Sequence, residues 1–461
     1  MTNPLATRRF ALGLILITGL SVVLNLALIG SQPVSVDDMS VALSAINYLE
    51  NGQLGPTMWN HPCLRNILVY GTLRLFGSGV AGVKGVSLVL GILCTPLVGL
   101  VARRIFGNGR IALLAAFLWT LDALVIEFTR QGINDIYLAF FPLAAILLCY
   151  RFRDSGNHLW LLGSGVLFGL GLASKLSSLL PLAATLALLA WLQARESRGD
   201  LRRLLAGWFQ LAVLLLLVPV LVYLLTFLPW FSRGYSLAEW GDLQRSMLLE
   251  TSQHVGYRPK PWHDTDNRAW KWFVTPSVFV DPFVNIDILD PAVEHPSIEE
   301  GTTVVLGYAN PLVWLLVLPA LFITLRRGVR ERDEGRLYLA GLFLVAYLPL
   351  AATWRPIWMN TALSVLPYAV MLVAGLVWSV TERLPRPRLA LGAYLAAVAL
   401  VAAPLYLLAI GKGMRIPVLK EHFVDKYLVE MKEREADAAG KGLSPGAAMG
   451  LPPRHFGNSK P

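Results

Sequence analysis

The chain has 461 residues, of which 55% are hydrophobic and only 15% charged, against about 25% charged in an ordinary soluble protein. Its mean hydropathy is +0.56, and uncharged runs such as residues 10–30 and 204–231 are long enough to cross a bilayer. This distribution excludes a soluble globular enzyme, a disordered chain and a disulfide-stapled secreted domain.

The apolar runs lie at 9–30, 79–102, 109–128, 134–152, 158–174, 176–194, 204–230, 309–325, 337–352, 357–379 and 389–411. They predict an all-α integral membrane protein with about eleven transmembrane helices. The first run follows Arg8-Arg9 but is too long for an ordinary signal-peptide core, and Gly30-Ser31-Gln32-Pro33 offers no small-x-small cleavage site, so it is read as a retained helix. The stretch 158–194 is divided at Ser174-Lys175 because a single helix of that length would far exceed a hydrocarbon core of about 30 Å.

The net charge of +10 is read as an orientation signal rather than a nucleic-acid footprint. Arginines fill the short connections on one side: Arg103, Arg104 and Arg110; Arg151 and Arg153; Arg195, Arg198, Arg202 and Arg203; Arg326 to Arg336; Arg383 to Arg388. The positive-inside rule puts these and the N-terminus in the cytoplasm. A transmembrane domain over 1–411 then carries two large outer segments, 31–78 and 231–308, followed by an outer tail, 412–461. Cys94 and Cys149 fall in apolar runs. Cys63, in an outer polar connection, is the cysteine expected to face reagents from outside.

The remaining charges gather at the outer level: Asp37 and Asp38, Asp122, Glu127, Arg130, Asp135, Lys175 and Arg355. Charges beside a bilayer are costly unless they pair or line an aqueous cavity, so their accumulation at one level points to a site. The plainer alternatives are snorkelling for Lys175 and Arg355, an N-cap on a surface helix at 39–49 for Asp37-Asp38, and packing for His61. After His61-Pro62, an apolar stripe through Leu64, Ile67, Leu68, Gly71 and Leu75 predicts a second surface helix with Arg65 and Arg74 turned away. The segment 231–308 adds Trp240, Trp262, Trp270 and Trp272 with His254, His263, Asp264 and Asp266, which show no metal-ligand spacing.

In this order the residues resemble the protein O-mannosyltransferase-like group of GT-C glycosyltransferases, and the aminoarabinose-transferring lipid A enzymes are similar to the same pattern. Asp37-Asp38 resembles the acidic pair of the first outer loop, with Asp where Glu is usual. Asn60-His61-Pro62-Cys63-Leu64 resembles its His-Pro-Pro-Leu segment. Thr129-Arg130 to Asp135 resembles a Ser-Arg-x4-Asp stretch, Ser174-Lys175 a Ser-Lys-Trp turn, and Trp262 with Trp270-Lys271-Trp272 the aromatic outer loop. Asn310-Pro311 and Arg355 also fall where the group has similar residues.

The resemblance implies a GT-C fold and transfer of a sugar from a polyprenyl-phosphate donor to a hydroxyl acceptor on a protein, lipid or glycan, outside the cytoplasmic leaflet and with inversion. Asp37, with Asp38 as substitute, would take the acceptor proton. His61, Arg130, Lys175 and Arg355 would hold the donor phosphate, and Asp135, Trp262 and Trp270 would contact substrate. No obligate metal and no nucleic-acid partner are expected. The competing class is a transporter or flippase for a lipid-linked substrate, which would use the same charges as a headgroup vestibule.

Overall fold

The computed structural model describes residues 4–31, 36–54, 61–197, 199–253, 269–274, 281–285, 303–352, 359–412 and 417–419. In chain order its helices are α1 (Pro4–Leu26), α2 (Val36–Asn51), α3 (Leu64–Phe76), α4 (Val80–Phe106), α5 (Gly109–Thr120), α6 (Ala123–Thr129), α7 (Tyr137–Ser155), α8 (His158–Ser174), α9 (Leu179–Glu196), α10 (Leu201–Ala212), α11 (Val218–Leu225), α12 (Leu228–Phe231) and α13 (Leu237–Gln253). They continue with α14 (Pro311–Trp314), α15 (Val317–Glu331), α16 (Glu334–Ala352), α17 (Leu366–Thr381) and α18 (Pro387–Ala409). One antiparallel strand pair, β1 (Asp281–Asn285) with β2 (Thr303–Gly307), joins Asp281 to Gly307 in register.

A helix occupies each of the eleven apolar runs. Among the described residues, seven are long and apolar enough to cross a membrane, and the bent pair α5–α6 makes an eighth. Length and composition alone therefore stop short of eleven spans; α8 and α17 are shorter apolar helices. The protein is an integral membrane protein.

Helices α4, α5 and α7 form the packed centre, and α17 lies against α5 with every residue from Leu366 to Ala374 buried. Such all-round burial requires an all-round apolar helix, which is what the α17 sequence supplies. Helix α8 meets the α10–α11 segment closely: a Cβ at Gly165 would overlap the Leu214 carbonyl, and one at Gly169 would lie 2.6 Å from the Val222 side chain. Residues 213–217 between α10 and α11 form a π-turn in which the Val218 N–H donates to the Val213 carbonyl. Pro219 follows directly. Proline has no N–H and its ring crowds the preceding turn, and the widened turn accommodates it.

Two breaks shape one end of the bundle. Helices α5 and α6 meet at 63°, and Asp122 caps α6, its Oδ1 accepting from the N–H groups of Leu124 and Val125. Trp314 donates its indole N–H to the other Asp122 oxygen at 2.8 Å. The second break is at Lys175, whose backbone is extended after α8 ends at Ser174. The 158–194 stretch is thus two helices.

Candidate active site

The loop between α6 and α7 ties together the helix ends on one side of the bundle. Residues 130–136 are buried throughout, and successive residues bond to different elements. Arg130 donates to the carbonyls of Asn25 and Ala27 at 2.8 and 2.9 Å, at the C-terminal end of α1, where a cation also suits the helix dipole. Gln131 donates to Glu127. The Gly132 N–H donates to Asp38 Oδ1 at 2.6 Å, and the Ile133 carbonyl accepts from Ser87 of α4. Asn134 donates to the Ser174 carbonyl at 2.6 Å.

Asp135 closes this series. Its Oδ1 accepts from the Lys175 ammonium at 2.6 Å and its Oδ2 from the Asn360 amide at 3.0 Å. The Asp135 side chain is 3% exposed and that of Lys175 19% exposed, so the carboxylate is enclosed while the lysine side chain is only partly covered. Lys175 does not snorkel freely; it is held by a partner.

Asp37 and Asp38 lie in the first turn of α2, not ahead of it. Asp38 is fully buried, and besides the Gly132 bond its Oδ2 pairs with Lys84 at 3.1 Å, the lysine being equally buried. A capping role for Asp38 is therefore replaced by a cross-link between α2, α4 and the 130–136 loop. Such a pair offsets the desolvation of both ions only through good geometry and added hydrogen bonds, which the Gly132 N–H supplies. Gly132 is needed here, because a Cβ would lie 2.8 Å from the Val83 carbonyl and 3.1 Å from Asp38 Oδ1. The Asp37 side chain lies outside the described residues.

His61 is half-buried just before α3. Arg74 is exposed, but Arg65 is fully buried and donates to Asn66 Oδ1 at 3.1 Å, which corrects the expectation that it turns away. Helix α3 packs against α2, α4 and α8, so the face carrying Arg65 meets protein rather than water. Cys63 is also buried, against expectation, and burial pushes its thiol up to about 12. Trp270 is 48% exposed, with the Lys271 ammonium 5.6 Å from its ring centre, while Trp272 is buried. Asn310 caps α14 and donates to the Val398 carbonyl. Trp262 and Arg355 lie outside the described residues.

The structure thus joins Asp38 to Lys84, and Asp135 to Lys175 and Asn360, through one loop. Lys84 and Asn360 were not singled out in the sequence. Lys84 carried the clearest signal, a charge in the first turns of a 27-residue apolar helix. Among the described residues no group of three or more His, Cys, Asp or Glu side chains converges to hold a metal. His254, His263, Asp264 and Asp266 lie outside the described residues.

The family model for dolichyl-phosphate-mannose-protein mannosyltransferase matches residues 60–224. A polyprenol-phosphate-mannose-protein mannosyltransferase of Corynebacterium glutamicum is 23% identical over 366 residues, which cover 65% of this chain and 66% of the relative. The protein O-mannosyltransferase complex of S. cerevisiae bound to its sugar donor superposes with a TM-score of 0.63 at 13% identity, covering 88% of this chain and 90% of that one. ArnT from Cupriavidus metallidurans bound to undecaprenyl phosphate gives 0.54 at 14% identity, covering 93% and 79%. The chain has the GT-C fold and is similar, in sequence and in structure, to the protein O-mannosyltransferase-like and aminoarabinose transferase-like glycosyltransferases.

Proposed function

We propose that the chain is a glycosyltransferase that moves a sugar from a polyprenyl-phosphate donor to a hydroxyl acceptor at the outer face of the bacterial cytoplasmic membrane, with inversion. The observation that carries this is the Lys175 ammonium. Asp135, on the loop that also anchors α2 and its Asp37-Asp38 pair, fixes it in place, while the lysine side chain remains partly exposed. The relatives' names supply the donor class, a polyprenol-phosphate-linked sugar.

The chemistry follows from the groups available. A departing lipid phosphate accumulates negative charge, which a fixed cation stabilises more in the transition state than in the ground state. Lys175 takes that role, with Arg355 and His61 assigned to the same phosphate. The acceptor hydroxyl must lose a proton as it attacks the anomeric carbon, and a carboxylate within hydrogen-bond reach serves as general base. Asp37 is that base; Asp38, with both oxygens engaged, holds the turn that carries it. Arg130, bonded to the end of α1, acts by fixing the loop. Trp270, with Trp262, offers an aromatic face to the sugar or acceptor. The orientation has the N-terminus inside and the 412–461 tail outside.

Reconstitution in liposomes with radiolabelled polyprenyl-phosphate mannose and a hydroxyl-bearing peptide tests this reading. It predicts a covalently labelled acceptor or lipid product and free polyprenyl phosphate. Movement of intact carrier across the bilayer with no covalent product would instead establish the transporter.

A further inference from the structure

Among the described residues the Lys175 ammonium has one hydrogen-bond partner, Asp135 Oδ1, so its other N–H donors are unused. What aims the ammonium is therefore whatever holds Asp135. A carboxylate can turn about its last torsion and offer a lysine either oxygen or both. Here the second oxygen, Oδ2, is taken by the Asn360 amide at 3.0 Å, which fixes the carboxylate and leaves Oδ1 for Lys175.

Asn360 is itself held. Its Oδ1 accepts the Thr361 N–H at 2.9 Å, which orients the amide with its nitrogen towards the carboxylate. It lies in a short 3-10 helix, Met359–Ser364, in which Met359, Ala362 and Leu363 are buried, while Asn360 is half-buried. The backbone beside Lys175 is pinned separately, by Asn134 on the Ser174 carbonyl at 2.6 Å. Three parts of the chain thus meet at one lysine: the 130–136 loop, the end of α8 and the connection from α16 to α17. That connection also carries Arg355, five residues before Asn360. A lysine stem has many rotamers, and an ammonium whose anchor turns would spread over several positions.

We infer that Asn360 is a positioning residue for the donor phosphate: acting through Asp135, it holds the Lys175 ammonium where that phosphate binds. This rests on the assignment of Lys175 to the donor phosphate, and the experiment tests the two separately. Undecaprenyl phosphate is titrated into the full chain in detergent, and its affinity is measured by isothermal titration calorimetry for the unaltered protein, Asn360→Leu, Lys175→Met and the double variant. Asn360→Leu keeps the side-chain size and removes the donor, and it is expected to weaken binding about tenfold. Lys175→Met should weaken it at least as much. Adding Asn360→Leu to Lys175→Met should bring no further loss, because the group that Asn360 positions is gone. Asn360→Ala and Lys175→Gln take the place of a variant that fails to fold. Unchanged affinity in Asn360→Leu, or the same fold loss on both backgrounds, would overturn the inference and leave the role of Lys175 standing. Unchanged affinity in Lys175→Met would overturn the phosphate role of Lys175, and the inference with it.

Discussion

Removing one member of a buried ion pair is far more disruptive than removing both, and the Asp38–Lys84 pair should show it. Lys84→Met leaves a carboxylate in a dry site and is expected to cost about 3–5 kcal/mol of stability. The double variant Asp38→Leu with Lys84→Met should recover a large part of that loss, although the Gly132 N–H then lacks its acceptor. Thermal unfolding of the four proteins in detergent, treated as a double-mutant cycle, reads the coupling. Cys63 gives a second prediction at this scale. Its thiol, buried and pushed up to about 12, should resist a maleimide at neutral pH in the folded protein and react once the protein is unfolded. A folded pKa raised above the ordinary thiol value of 9.0 also contributes stability that is full below pH 9 and is lost as pH rises towards 12. Asp38, Asp135 and Lys175 were legible because a charge beside a bilayer demands an explanation. Arg65 was misread because helical periodicity locates an apolar stripe but does not reveal that neighbours cover the other face as well.

Elements here owe their ends to particular residues. The α8 break at Lys175 could be read from length alone, since a helix through 158–194 would overrun the membrane. The 63° bend between α5 and α6 could not, because Asp122 looks in sequence like one more outer charge and becomes a cap only when Trp314, 192 residues away, donates to it. The π-turn before Pro219 was likewise hidden within a uniform apolar run. The loop from Arg130 to Asp135 resembles a family motif, which assigns Arg130 to the donor phosphate and Asp135 to substrate. Its hydrogen bonds go first to α1, α2, α4 and α8. Gly132→Val tests that role. A side chain there meets the Val83 carbonyl and Asp38, so stability should fall by about 1–3 kcal/mol. Sugar transfer should be lost as α2 detaches, whereas a loop with substrate contacts alone would lose transfer at unchanged stability. Paired thermal-shift and transfer measurements separate the two.

For the whole molecule, most of the positive charge sits in arginine-rich connections at one end, and the two carboxylate–ammonium pairs sit at the other. Cysteine labelling checks the orientation directly. An impermeant maleimide applied outside intact cells should modify Ser236→Cys, at an exposed position before α13, and should not modify Ser155→Cys, at an exposed position ending α7; the reverse pattern would invert the topology. The central claim is that Asp37 removes the acceptor proton while the loop-held Lys175 receives the donor phosphate. It is tested by the turnover of Asp37→Asn with labelled polyprenyl-phosphate mannose in reconstituted membranes. Loss of a general base predicts a fall of about 10²–10⁴-fold with carrier binding retained, and turnover like that of the unaltered protein would contradict the account.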